Sequence, residues 1–186
     1  MFAGAVEVYT ALEQLDAIVI YARSCPYRHK RITKGGYLRY HYEGYVQEVV
    51  LLRNRLIAYF KTVERIHKRD ENHVALGKLR RAITTMINES LVWFVSARDQ
   101  HVHESRLSDL QLSGLSSYEV LIGAGLDYRG VFNREYRLVK SKKLKLMKAW
   151  NKSIRFEVDM YFHLLMTFVT EGERLRFPQG TIRAKQ

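Results

Sequence analysis

Only two prolines, Pro26 and Pro178, interrupt the chain. Proline removes a backbone donor and its ring clashes with the preceding turn, so the long interval between them is open to long helices. The apolar residues use that freedom. Val8, Leu12, Leu15, Ile18 and Val19 recur at helical spacing over about 6–23. Pro26 and the polar, basic run through Gly35-Gly36 then mark a loop. A second, long helix is expected over 37–68, where Tyr42, Tyr45, Val46, Val49, Leu52, Leu56, Phe60, Val63 and Ile66 trace one stripe in steps of three and four. Lys68-Arg69-Asp70-Glu71-Asn72 supplies a polar turn. A third helix is expected from His73 to Ala97, burying Leu76, Leu79, Ile83, Met86, Ile87 and Phe94. Two such stripes joined by a short connection face one another, so the second and third helices should form an antiparallel hairpin.

Past that hairpin the pattern weakens. A loop-like stretch is expected from Ser105 to about Ser117, then a short helix from Tyr118 to Ala124 ahead of Gly125. The segment from Arg129 to Trp150 reads as helix because Lys, Arg and Leu are good helix formers, although the alternation of Leu144 and Leu146 also suits a strand over 136–147. Ile154, Val158, Tyr161, Phe162, Leu165, Phe168 and Val169 mark a last helix, with Gly172 as its stop signal. With 186 residues, 47% of them hydrophobic, the chain is large enough to bury one core. The expectation is a single all-α domain, an antiparallel helical bundle with a long C-terminal helical segment. Most tyrosines and phenylalanines fall on the stripes, which makes them core residues first.

The formal charge is +12, and its distribution matters more than its total. Between Arg129 and Arg155 stand ten basic residues against one acid, Glu135. A second block, with Arg23, Arg28, Lys30, Arg31, Lys34 and Arg39, contains no carboxylate. A polyanion that neutralises such blocks gains affinity by releasing its counterions, so nucleic acid is the leading partner, well ahead of an anionic membrane surface. Arg134, Arg137, Lys140, Lys142, Lys143, Lys145 and Lys148 are the candidate RNA-binding residues. A solvated face without a partner is the plain alternative. The single cysteine, Cys25, excludes an internal disulfide and fits a reducing compartment. No run approaches the roughly 20 apolar residues that span a bilayer. The start carries Glu7, Glu13 and Asp16 without a positive region ahead of an apolar run. A cytoplasmic protein with no membrane partner is expected.

One segment suggests chemistry: Arg98-Asp99-Gln100-His101-Val102-His103. Histidine can take or give a proton near neutrality, and arginine presents a planar fork of donors that fits phosphate oxygens. The pair suits attack by an RNA 2′-hydroxyl on its neighbouring phosphate, with no cofactor and no metal. Arg98 would stabilise the developing charge, and Asp99 would orient either side chain. His101-Val102-His103-Glu104 invites a metal reading, but no second ligand cluster with recognisable spacing accompanies it. Phosphate-binding and dinucleotide glycine motifs are absent, as is a nucleophile elbow. At about 100° per residue, positions 98 and 103 of a continuous helix lie about 140° apart. A break in the helix, or a second subunit, is needed to bring the two side chains together.

Here the sequence resembles the HEPN superfamily, small α-helical domains that include many RNases of toxin–antitoxin and anti-phage systems. The family motif is Arg, a polar residue, a few variable residues and His, which Arg98-Asp99-x-x-x-His103 matches. The wider pattern is also similar: a tyrosine-rich helix (Tyr37-Leu38-Arg39-Tyr40-His41-Tyr42-Glu43-Gly44-Tyr45), a helix ending at the motif, and a basic helical tail. The resemblance covers about 37–171, with the N-terminal helix and basic loop of 1–36 outside it. It implies a metal-independent endoribonuclease with Arg98 and His103 as catalytic pair, Asp99 in support, and a homodimer that brings two motifs into one cleft. Two other readings stay open. One is a non-catalytic helical dimerisation or RNA-binding module. The other is a partner protein, such as half of a toxin–antitoxin pair, whose basic surface meets an acidic antitoxin-like protein.

Overall fold

A computed structural model describes residues 2–24, 32–103, 109–171 and 174–175, with the side chains of 2, 100–103, 171 and 174–175 outside the described set. Six helices follow one another: α1 (Phe2–Ser24), α2 (Lys34–Ile66), α3 (His73–Ser90), α4 (Val92–His103), α5 (Leu110–Gly123) and α6 (Arg129–Val169). A minimal antiparallel pairing of Thr170–Glu171 with Arg174–Leu175 follows α6. The all-α helical bundle expected from the stripes is the fold observed. None of the described helices is long and apolar enough to cross a membrane.

Helix α2 organises the bundle. Its 33 residues make a rod about 50 Å long at 1.5 Å per residue, and it touches each of the other five helices. The expected stripe is its buried side: Tyr42, Tyr45, Val46, Val49, Leu52, Leu56, Phe60 and Val63 are all buried, and only Ile66 at the end is not. Thr33 caps its start, accepting from Gly36 N, and Glu119 of α5 adds a second cap by accepting from Gly35 N at 2.7 Å. Because α2 has no acidic residue in its own first turn, the carboxylate that faces its positive end comes from another helix. The α2–α3 hairpin forms as expected, with α1 also lying along α2.

Three expectations need correction. The third helix does not run from His73 to Ala97 but breaks at Leu91, where the Phe94 amide bonds to Leu91 O and the helix restarts as α4. The re-aimed turn brings Phe94 against Tyr45 and Trp150, and Trp93 against Trp150; Met86, expected in the core, is exposed on α3. The loop expected up to Ser117 is largely helix α5. Asp109 starts it by accepting from Gln111 N and Leu112 N, and Leu112 and Leu115 are buried. The basic segment and the last helix are one 41-residue helix, α6, about 60 Å long. The strand alternative for 136–147 is thereby excluded. Gly125 does stop α5, with φ of 87° and the Leu126 N to Leu121 O bond that closes a Schellman turn. Gly172 lies outside the described residues.

Continuity through Asn151 is supported by tertiary contacts. Asparagine in a helix tends to compete for backbone partners, but the Asn151 side chain is engaged at both its oxygen and its nitrogen by other helices. Its amide oxygen accepts from Tyr45 Oη at 2.7 Å and its amide nitrogen donates to Asp16 Oδ1 at 2.7 Å. Arg155 donates to the other Asp16 oxygen. The chain Tyr45–Asn151–Asp16–Arg155 thus ties α2, α6 and α1 together.

Buried tyrosines give the fold a definite alkaline limit. Burial, aided by Asp109, pushes the Tyr42 hydroxyl from 10.0 up to about 12. Tyr45 is raised by burial and then Asp16, Tyr59 by burial and then Tyr9, and Tyr161 by burial and then Glu157. A group whose pKa is raised on folding stabilises the fold in its protonated form below the unfolded pKa, and that stabilisation is lost as pH rises through the folded value. Urea midpoints are therefore expected to hold below pH 10 and to fall steeply between 10 and about 12, with Tyr42→Phe flattening the decline. An unchanged midpoint at pH 11.5, about one and a half units above the ordinary tyrosine pKa, would exclude this coupling.

Candidate functional site

Helix α4 carries the motif. It is unbroken from Val92 to His103, so positions 98 and 103 keep the separation of about 140° that a continuous helix imposes. Of the two ways of bringing Arg98 and His103 together, a break between them is therefore excluded. The Arg98 side chain is 36% exposed and Asp99 50% exposed, with Arg98 Nη1 3.3 Å from Asp99 Oδ1. An exposed pair of this kind contributes only about 0–1 kcal/mol, so the guanidinium is readily given up to a stronger anion. No other ion pair holds Arg98 among the described residues. The His103 side chain lies outside the described set.

Two contacts pin this region to α6. At the start of α4, Trp93 and Phe94 pack on Trp150, with ring centroids 5.2 and 4.9 Å apart. Past the motif, Asp109 pairs with the ammonium of Lys143, which also lies 4.6 Å from the centre of the Tyr42 ring. Trp150 and Lys143 are about two helical turns apart on α6, which thus holds the start of α4 through Trp93 and Phe94 and the start of α5 through Asp109.

The basic residues separate into two groups that sequence could not distinguish. Arg134, Arg137, Lys142, Lys145 and Lys148 are exposed. At 100° per residue, Arg134, Arg137, Lys145, Lys148 and Lys152 fall on one outward ridge of α6, opposite the position of Lys143. Lys143 does not belong to that surface: its side chain is 7% exposed and committed to Asp109. Lys140 is half-buried and donates to Arg23 O at 2.9 Å. Arg39, from the other basic block, is buried and reaches Ser113 at 3.4 Å. Arg134 also lies 3.5 Å from Glu135, and Arg137 Nε donates to Asn133 O.

The ridge and the motif are not gathered on one face. Trp150 and Lys143, which meet α4 and the chain after it, lie on the side of α6 turned away from the ridge. Arg28, Lys30 and Arg31 fall outside the described residues. What the sequence reading missed is Asp109, the residue that both starts α5 and anchors Lys143. Its signal was present: an aspartate directly ahead of Leu110, Leu112 and Leu115 is a helix N-cap pattern.

In comparison with known proteins, the chain matches no family model, no curated protein and no solved structure.

Proposed function

We propose that this chain is a metal-independent endoribonuclease of HEPN type whose site is completed by a second copy. The observation that carries the reading is a surface arginine on a helix that runs unbroken through the motif histidine. Arg98 is only partly buried, and positions 98 and 103 lie about 140° apart on a continuous helix. Arg98 of one copy and His103 of the other would then meet across a two-fold axis. His103 takes the proton of an RNA 2′-hydroxyl, the oxygen bonds to the adjacent phosphorus, and the bond to the 5′-oxygen breaks. The leaving oxygen recovers a proton, and Arg98 neutralises the charge that builds on the phosphoryl oxygens.

Single-stranded RNA incubated with the protein in excess chelator should be cut to fragments with 2′,3′-cyclic phosphate and 5′-hydroxyl ends. DNA of the same sequence should stay intact, because it lacks the 2′-hydroxyl. Cleavage that stops on chelation, or that leaves 5′-phosphates, is incompatible with this chemistry.

The outward ridge of α6 supplies phosphate contacts in this reading. Lys148→Gln should lower the slope of log binding constant against log salt by about 0.7, the value for one single-strand phosphate contact. Lys152→Gln should do the same. A slope unchanged in the double variant removes the ridge from the interface.

A further inference from the structure

Both tryptophans of the chain line one cavity, beside the helix break at Leu91. It encloses about 280 Å³. Trp93 and Phe94 line it from α4, Ser90 from the end of α3, and Trp150, Ser153 and Glu157 from α6. The volume falls just below the range of about 300–1,000 Å³ usual for drug-sized ligands, so it suits the head of a ligand.

The rings form a stack that ends at the surface. Tyr45, fully buried, lies on Trp150 with centroids 5.9 Å apart and planes 21° apart. Trp150 in turn meets Trp93 at 5.2 Å and 38°. Phe94 stands edge-on to both indoles, at 4.9 and 5.0 Å. Rings at these separations touch one another and leave no space between them, so they make a wall and not a box. Trp93 is the outer end of that wall and is 48% exposed.

Glu157 sets the charge, being the one charged side chain that lines the cavity among the described residues. It is half-buried, and Tyr161 Oη donates to its Oε2 at 3.3 Å. No cation pairs with it among the described residues, and its Oε1 is neither bonded nor shut off from solvent. The basic ridge is on the other side of the same helix. At 100° per residue, Ser153 and Glu157 fall within about 60° of Trp150 around α6, whereas Lys148 and Lys152 fall about 160° away. A helix is about 10–12 Å thick, more than the roughly 8 Å over which physiological salt screens a charge. The cavity is therefore a locally acidic, aromatic spot on a basic chain.

We infer that this cavity binds a guanidinium cation, stacked on the open end of the tryptophan wall with an N–H edge on Glu157. A guanidinium is planar and delocalised, so it extends a stack of flat rings, and its donors lie in the plane where a carboxylate can accept them. A quaternary ammonium gains most inside a box of rings and has no N–H to give Glu157. A nucleotide base would also extend the stack, but its phosphate would be brought towards an unpaired carboxylate. Free arginine and the arginine side chain of a peptide present the same group. The inference uses neither Arg98 nor His103 and stands apart from RNA cleavage.

Because the chain has no third tryptophan, intrinsic fluorescence reports this cavity directly. Arginine amide should change the emission saturably, with half-saturation on the order of 1 mM, as one partly exposed ring contact and one ion pair allow. Citrulline amide, which replaces the guanidinium by a neutral planar urea, should bind at least roughly tenfold more weakly. Tetramethylammonium at equal ionic strength should also bind more weakly. Glu157→Gln keeps the shape of the side chain and should weaken arginine amide roughly tenfold. Trp93→Phe should weaken it severalfold, with Trp150 left as reporter. Urea midpoints close to the parent's will show that both variants are folded. A capped Gly-Arg-Gly peptide that binds as tightly as arginine amide supports a peptide's side chain as the ligand; binding of arginine amide alone supports a small guanidino compound. Equal binding of citrulline amide or adenosine overturns the selection of a cation, and equal binding of tetramethylammonium overturns the guanidinium. An unchanged affinity in Glu157→Gln, or a response that never saturates, overturns the site. None of these outcomes touches the nuclease reading, which fails or stands on RNA cleavage.

Discussion

Arg98→Ala and His103→Ala should each reduce RNA cleavage by a factor of about 10²–10⁴, the usual worth of a positioned proton carrier or charge stabiliser. Mixing the two inactive variants should restore about a quarter of the parental rate. The figure follows from symmetry: random exchange makes half the dimers mixed, and each mixed dimer keeps one intact site of two. The intact site takes its arginine from the His103 variant and its histidine from the Arg98 variant. A site built within one chain gives no recovery, because each copy then lacks one of its two groups. No other plausible arrangement of the motif on an unbroken α4 separates these outcomes so widely. If both variants cleave at the parental rate, the motif has no catalytic role. If both are inactive but the mixture stays inactive, the pair is not shared between copies. Among the described residues Arg98 pairs only with Asp99, at 3.3 Å, and it is partly exposed, so its removal should leave the urea midpoint nearly unchanged. That control separates loss of chemistry from loss of fold.

The second large effect is on stability. Asp109→Ala removes the cap of α5 and the counter-charge of Lys143 in one step. The two side chains are 17% and 7% exposed, and stranding one partner of a buried pair costs about 3–5 kcal/mol. The lost cap adds about 1 kcal/mol. Urea unfolding should show most of the domain's stability gone. Lys143→Met in the Asp109→Ala background should return the larger share, because it removes the unpaired charge while filling the same space. If Asp109→Ala costs less than about 1 kcal/mol, the ammonium is not desolvated as its burial implies. If the double variant is no more stable than the single one, the cap and not the pair carries the effect.

Much of this bundle could be read from spacing. The stripes of α1 and α2 and the last part of α6 are where the apolar steps of three and four put them, because a long helix facing a core must repeat at its own period. What failed was decided by tertiary contact. Nothing local marks Leu91 as a break, since the turn there is set by Phe94 and Trp93 finding Trp150 across the bundle. Nothing local joins the basic segment to the last helix, since the partners of Asn151 at their junction, Tyr45 and Asp16, are 106 and 135 residues away. The charge count could not tell Lys143, held by Asp109, from Lys145 and Lys148 on the open ridge. For the candidate site, sequence supplied the residue types of the motif and the demand imposed by helix geometry. The continuity of α4 then left one way to meet it.

The tie between α1 and α6 also sets a schedule for synthesis. Asp16 leaves the ribosome 139 residues before Arg155, the partner that neutralises it. At translation rates of about 5–20 residues per second, that is a wait of roughly 7–28 s. Through that interval α1 and α2 have no α6 to close on, and their inner face is open. The motif on α4 is also made before either of its anchors, Lys143 and Trp150, exists. A chain released early would lack the Trp150 on which Trp93 and Phe94 at the start of α4 pack, so the order of synthesis delays closure of the bundle until nearly all of it is made.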